Sequence, residues 1–261
     1  MPKFCANLSM LYTEHAFLDR FAAAAADGFT GVEYIGPYDY PEVDVAAALT
    51  GAGQTQVLFN LPAGDWAGGE RGIGCLPDRV EEFQVSVEIA LRYAAALGCT
   101  QINCLAGIAP VGANQEELEA VLISNLKYAA PRMAAAGVKL LLEPINTRDI
   151  PGFFLSRVDH ALRIIEAVRH ENLWLQYDFY HAQIMQGDLI PTFERHQSRI
   201  AHVQIADHPG RHEPGTGEIN HSYLLQSLDR LAYDGWVGCE YKPRTSTSAG
   251  LGWMKEMGVK A

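Results

Sequence analysis

The chain has 261 residues, 48% of them hydrophobic, and a formal net charge of −11. That length fits one α/β barrel or two smaller domains, and the acidic balance excludes a basic nucleic-acid footprint. Cys5, Cys75, Cys99, Cys104 and Cys239 are widely spaced and form no CxxC pair, so a reducing cytoplasm is expected rather than a disulfide framework. The opening residues carry no signal-like apolar core, and no run approaches membrane-spanning length.

Residues 4–8 read as a first strand. Then one arrangement repeats: an Ala/Leu-rich helical segment ends at a glycine, and a short apolar strand follows. Helix 17–27 and Gly28 lead to strand 31–34, and helix 45–52 and Gly53 to strand 55–60. Helix 80–97 and Gly98 lead to strand 100–104. Helix 118–136 and Gly137 lead to a run from Lys139 that ends on Glu143 before Pro144. Glycine just past a helix supplies the left-handed cap at little cost. Ser156 is the expected N-cap of a helix through Val158, Leu162, Ile165 and Val168. Residues 173–178 and 200–205 read as strands six and seven, with a short helix around 189–195 between them. A helical stretch 229–234 and Gly235 lead to strand eight, 236–241.

Eight strands alternating with about eight helices predict an α/β fold, a (β/α)8 TIM barrel, as one domain over 1–261. A doubly wound sheet would usually carry a Gly-rich phosphate loop after its first strand, and Asn7-Leu8-Ser9-Met10 is no such loop. Neither Gly68-Gly69 nor Gly107 with Gly112 matches a nucleotide-binding pattern. The longest irregular segments, 62–79, 146–154 and 207–220, each follow a strand's C-terminal end, the face on which barrels build active sites.

Four consecutive strands place an oxygen donor at or near that end: Glu143, Asp178, Gln204 and Glu240. Hard divalent cations such as Mg²⁺ and Mn²⁺ prefer oxygen donors, and three carboxylates this close repel one another without a cation. Taken singly, each has a plainer role. Glu143 could cap or pair, Asp178 could start an Asx turn, and Gln204 could satisfy backbone groups. Four matched positions on successive strands favour the site.

The chain resembles the hydroxypyruvate isomerase family, within the xylose-isomerase-like barrels that include ketose 3-epimerases and endonuclease IV. The resemblance spans nearly the whole chain. It rests on Phe4-Cys5-Ala6-Asn7-Leu8-Ser9-Met10-Leu11-Tyr12, Phe59-Asn60 with Gly64-Asp65, Leu142-Glu143-Pro144-Ile145-Asn146 and Gln176-Tyr177-Asp178-Phe179-Tyr180-His181. It rests further on His202-Val203-Gln204-Ile205-Ala206 with Arg211-His212-Glu213-Pro214, on Gly217-Glu218-Ile219-Asn220 and on Gly238-Cys239-Glu240-Tyr241-Lys242-Pro243.

The resemblance implies one divalent metal, Mg²⁺ before Mn²⁺, on Glu143, Asp178, Gln204 and Glu240, with Glu143 and Glu240 as the acid/base pair. It implies interconversion of hydroxypyruvate and tartronate semialdehyde through an enediolate. His181, by likeness to sugar epimerases, would contact substrate oxygen. Asn60, Arg71, Arg211 and Lys242 are further candidates for substrate contacts, with His212 and Arg244 as competitors for the substrate carboxylate. Trp66, Phe153, Phe154 and Tyr180 are lid candidates. The expected partner is a small hydroxy or oxo acid, with no nucleic acid or membrane, and self-association is left open. The nearest rival is a 2-oxo-tetronate isomerase. A ketose 3-epimerase is disfavoured because Gln204 stands where its metal-binding histidine is expected, and a nuclease because the strand ends lack a histidine set for zinc.

Overall fold

The computed structural model describes residues 2–259, so the expected domain span takes in residues 1, 260 and 261, which lie outside the described residues. Eight parallel strands close into a barrel in sequence order. They are β1 (Lys3–Asn7), β2 (Gly31–Glu33), β3 (Thr55–Asn60), β4 (Gln101–Cys104), β5 (Lys139–Leu142), β6 (Leu173–Asp178), β7 (Ile200–Ile205) and β8 (Trp236–Cys239). The helices on the way round are α1 (Arg20–Ala26), α2 (Glu42–Gly51), α3 (Val80–Leu97), α4 (Gln115–Ala135), α5 (Val158–Val168), α6 (Phe179–Met185), α7 (Leu189–His196) and α8 (His221–Arg230). Two short helices, α9 (Thr247–Gly250) and α10 (Gly252–Glu256), follow the last strand. The (β/α)8 barrel is borne out.

The two-residue period of a strand explains what lies where. On β5, Leu140 and Leu142 join the large core packed against the helices, whereas Leu141 belongs to a small separate cluster with Cys5, Val57 and Leu58. Trp174 and Trp236 pack against that cluster. It is an apolar plug toward the N-terminal ends of the strands. Two residues beyond Leu141 on the same face comes Glu143, as Asp178 comes four beyond Trp174 and Glu240 four beyond Trp236. The polar layer therefore sits toward the C-terminal ends, above an apolar floor. Two glycines make room, Gly31 for the apolar floor and Gly238 for the polar layer. A Cβ on Gly31 would lie 2.6 Å from the Trp236 ring, and one on Gly238 would overlap the Glu33 carboxylate.

The helical stretch expected at 229–234 lies instead at His221–Arg230, and two further points differ. Ser156 is not the cap of α5: Arg157 holds that position in extended backbone, without a side-chain cap bond. The Val158 amide instead donates to Gln186 Oε1 at 3.1 Å. The helix α6 was not foreseen, because its run is only seven residues long and follows β6 without a break, although Gly187 lies just past its end in the left-handed region. Asp178 caps it, accepting from the Tyr180 amide at 2.7 Å. All five cysteines are unpaired and buried. Among the described residues no helix is long and apolar enough to cross a membrane.

Candidate active site

The carboxylates of Glu143, Asp178 and Glu240 are buried at one mouth of the barrel. Asp178 and Gln204 are register partners on neighbouring strands, and the Glu240 amide donates to the Ile205 carbonyl at 3.1 Å. Glu143, Gln204 and Glu240 line one cavity of about 20 Å³ with Asn7, Asn60 and Gln176, enough for a single water or ion. Ligand atoms of Glu143, Asp178 and His181 lie within 4.8 Å of one another. The four strand-end donors thus converge, with His181 beside them.

Each is held by neighbours. Asn103, next to last in β4, donates through Nδ2 to Glu143 Oε2 and to Asn60 Oδ1, both at 3.0 Å. His181 Nε2 stands 3.9 Å from Glu143 Oε1 and 3.5 Å from Asp178 Oδ2. Its Nδ1 faces the Asn146 side-chain amide at 2.7 Å; with that amide nitrogen as donor, Nδ1 accepts and Nε2 carries the proton. Asp178 divides its oxygens: Oδ1 caps α6, while buried Oδ2 has no hydrogen-bond partner. The Asx reading and the site reading of Asp178 are therefore compatible. Arg211 supplies the nearby positive charge, its Nη2 lying 2.9 Å from Glu240 Oε2 and 3.7 Å from Asp178 Oδ2. Its guanidinium also lies 5.2 Å from the centre of the Tyr180 ring.

Charge repulsion and burial show in the titrations. Burial, then Glu240 and Asp178, push Glu143 well above the ordinary carboxyl range. Burial pushes Glu240 up to about 8 and Asp178 up to about 6, with the Arg211 guanidinium opposing in both. Burial, then Arg211, hold His181 well below the usual imidazole value. Added positive charge would favour the ionised form of each acid. With the orphaned Asp178 oxygen, this donor set fits a hard divalent cation.

The other candidates divide. Asn60 joins the cavity wall. Arg71 does not approach the acids: its Nη1 donates to the carbonyls of Trp66 and Glu70 at 3.0 and 2.6 Å, and its guanidinium lies over the Trp66 ring. Lys242 is exposed, and its contribution is through backbone, donating to the Arg211 carbonyl at 2.7 Å. Arg244 is exposed and donates to the Thr216 carbonyl at 3.1 Å, and His212 Nδ1 contacts the Lys242 carbonyl at 2.8 Å. Of the lid aromatics, Phe153, Phe154 and Tyr180 are packed and Trp66 is exposed.

Three contributors escaped the sequence reading: Asn103, Asp207 and Glu33. Glu33 ends a strand of only three residues, and Asn103 is a neutral amide next to last in β4, so neither stands out in the sequence as Glu143 does. Asp207 is fully buried and organises the loop that carries Arg211. Its Oδ1 accepts from the amides of His208 and Ile219 at 2.9 and 3.1 Å, and its Oδ2 from Gly215 and Gly217 at 2.9 and 2.8 Å.

A buried, acid-lined mouth at the C-terminal end of a closed (β/α)8 barrel defines an enzyme of the barrel class. The chain belongs to the xylose isomerase-like TIM barrel family, whose model matches residues 21–257. It is 51% identical over 255 residues to a 2-oxo-tetronate isomerase of Cupriavidus necator, covering 98% of each chain. It is 52% identical over 254 residues to the hydroxypyruvate isomerase of Escherichia coli, covering 97% of this chain and 98% of the relative. A crystal structure of a Brucella melitensis protein, named an AP endonuclease of family 2, superposes with a TM-score of 0.95 at 45% identity, covering 98% and 99% of the two chains. An isomerase on this scaffold, as the sequence led us to expect, is borne out.

Proposed function

We propose that the chain interconverts hydroxypyruvate and tartronate semialdehyde with one divalent cation, Mg²⁺ or Mn²⁺, held by Glu143, Asp178, Gln204 and Glu240. The observation that carries the reading is the convergence of three buried carboxylates and one amide at a single barrel mouth. A bound cation would stabilise negative charge that develops on the substrate oxygens. The remaining work falls to side chains. One of Glu143 and Glu240 takes the proton from C3 of hydroxypyruvate, giving the enediolate. A proton is returned to C2 by the same or the opposing glutamate, while the hydroxyl proton passes from O3 to O2. Burial raises both glutamates, which favours their taking up a proton, and a bound cation opposes that rise.

Asn103 aims Glu143 and Arg211 aims Glu240. Arg211 is also the best placed of the basic candidates for the substrate carboxylate, since Arg71 and Lys242 are held away from the acids. His181 and Asn60 face the same mouth and are assigned to substrate oxygens. The setting we assign is a reducing cytoplasm, in keeping with five unpaired cysteines. The fold, 1–261, acts as one domain, and a homo-oligomer is compatible with this reading.

A second reading follows from the Cupriavidus necator relative: the substrate is a 2-oxotetronate, one carbon longer. Turnover measured on hydroxypyruvate, on 2-oxotetronates and on free ketoses separates the two. Success on the second with failure on the first replaces the substrate and keeps the chemistry. The nuclease name carried by the Brucella melitensis protein is not extended to this chain, because a net charge of −11 repels a phosphate backbone.

A further inference from the structure

Glu33, the last residue of β2, is fully buried at the barrel axis. Four side chains donate to it. Asn7 Nδ2 at 3.0 Å and Gln204 Nε2 at 2.8 Å reach Oε1, and His202 Nε2 at 2.6 Å and Cys5 Sγ at 3.4 Å reach Oε2. The donors come from β1, beside it, and from β7, across the barrel. Gly238 on β8 permits the crossing, since any side chain there would overlap the carboxylate.

The two ends of a glutamine amide are nearly equal in shape and opposite in hydrogen-bonding sense. A carboxylate can only accept, so it captures Nε2 and turns Oε1 of Gln204 the other way. There Oε1 accepts from Gln176 Nε2 at 2.6 Å, and both glutamines line the cavity shared with Glu143 and Glu240. We infer that Glu33 is a positioning residue that holds Gln204 oxygen-first toward the cation and places a further negative charge behind it. This inference rests on the metal reading above. A filler of the barrel axis would not need a charge, which is costly to bury. Cys5, Glu33 and His202 also lie close enough together to suggest a second metal centre. The direct 2.6 Å contact between His202 Nε2 and Glu33 Oε2 is a hydrogen bond instead, because an ion bonded to both at about 2 Å would force them apart.

The test is Mn²⁺ affinity, read by electron paramagnetic resonance, in the unaltered chain, Glu33→Gln, Gln204→Glu and the double variant. Circular dichroism and melting curves check the fold. Glu33→Gln replaces one of the two accepting oxygens by NH₂ and removes the negative charge behind Gln204; where the NH₂ faces Gln204, that amide also turns and offers nitrogen to the cation. Binding is expected to weaken about 10–100-fold. The double variant exchanges acid and amide within the pair at constant net charge. The carboxylate on β7 then accepts from β2 and still presents oxygen, so affinity is expected to return to within about tenfold of the unaltered chain. Gln204→Glu alone sets two carboxylates face to face and is expected to bind more weakly than the double variant.

Unchanged affinity in Glu33→Gln overturns the inference. So does a folded double variant that binds no better than Glu33→Gln, or Gln204→Glu binding as tightly as the double. Should Glu33→Gln fail to fold, the double variant decides alone, and loss of more than about tenfold overturns the inference. An unaltered chain that binds no Mn²⁺ sinks the metal reading and this one together, whereas tight binding with an indifferent Glu33→Gln sinks only this one.

Discussion

Asp207→Asn is expected to loosen the loop that carries Arg211 without unfolding the barrel. The native carboxylate accepts four backbone amides, two on each oxygen. Asparagine keeps one accepting oxygen, so two amides are left facing an NH₂ group. A hydrogen bond to a charged acceptor contributes about 1.5–3 kcal/mol, so losing two costs at least about 3 kcal/mol. If the cost falls on local opening, the open population of the loop rises about 100-fold. Hydrogen exchange followed by mass spectrometry on peptides spanning 207–219 reads this directly. Those peptides should exchange about 100-fold faster, while peptides from β5 and β6 keep their protection. Turnover should fall too, because Arg211 reaches Glu240 and Asp178 from this loop. Unchanged protection across 207–219 in the variant would refute the idea that one buried carboxylate organises the loop.

Glu143→Gln and Glu240→Gln should each lose about 10²–10⁴ in turnover while melting as folded proteins, since each removes a proton-transfer group; retained turnover in both would remove their assigned roles. The metal-free chain should lose stability as pH rises above about 7. Burial raises the folded value of Glu240 from its ordinary 4.5 to about 8, so its contribution is fully present below the unfolded value and is lost as pH climbs through about 8. Above about pH 7 the depressed His181 is already neutral in both folded and unfolded chains and does not oppose the trend. Melting temperature measured across that window in chelator should fall, and added Mg²⁺ should flatten the fall; a rise with pH contradicts the burial argument. Gly238→Ala should destabilise the barrel by about 1–3 kcal/mol in urea titrations, because its methyl overlaps the Glu33 carboxylate; a neutral effect would mean that Glu33 has room to move.

The strands were legible because helix, glycine and apolar run recur with little variation, and the period of two then fixed which residues face inward. Glu143 was legible because a charge after Leu140-Leu141-Leu142 is conspicuous. Glu33 follows only Gly31 and Val32 and reads as an ordinary strand end, so its place at the barrel axis shows only when β7 is brought across to meet it. Asn103 hid for a similar reason: a neutral amide in a short strand signals nothing until Glu143 stands 3.0 Å away. The basic residues were the least legible. Arg71, Arg211 and Lys242 look alike on loops after strands, and loop conformation alone sends Arg211 inward, Arg71 onto Trp66 and Lys242 to solvent. Asp207 begins a loop by sequence, and its four amide partners lie up to twelve residues further on.

A crystal structure of the chain with hydroxypyruvate and Mn²⁺, located by its anomalous signal, tests the central claim most directly. One ion is expected on Glu143, Asp178, Gln204 and Glu240, with substrate oxygens on its open side and a glutamate carboxylate beside the reacting carbons. An ion bound elsewhere, or one that leaves Glu143 and Glu240 on opposite sides of the barrel away from both metal and substrate, would contradict it.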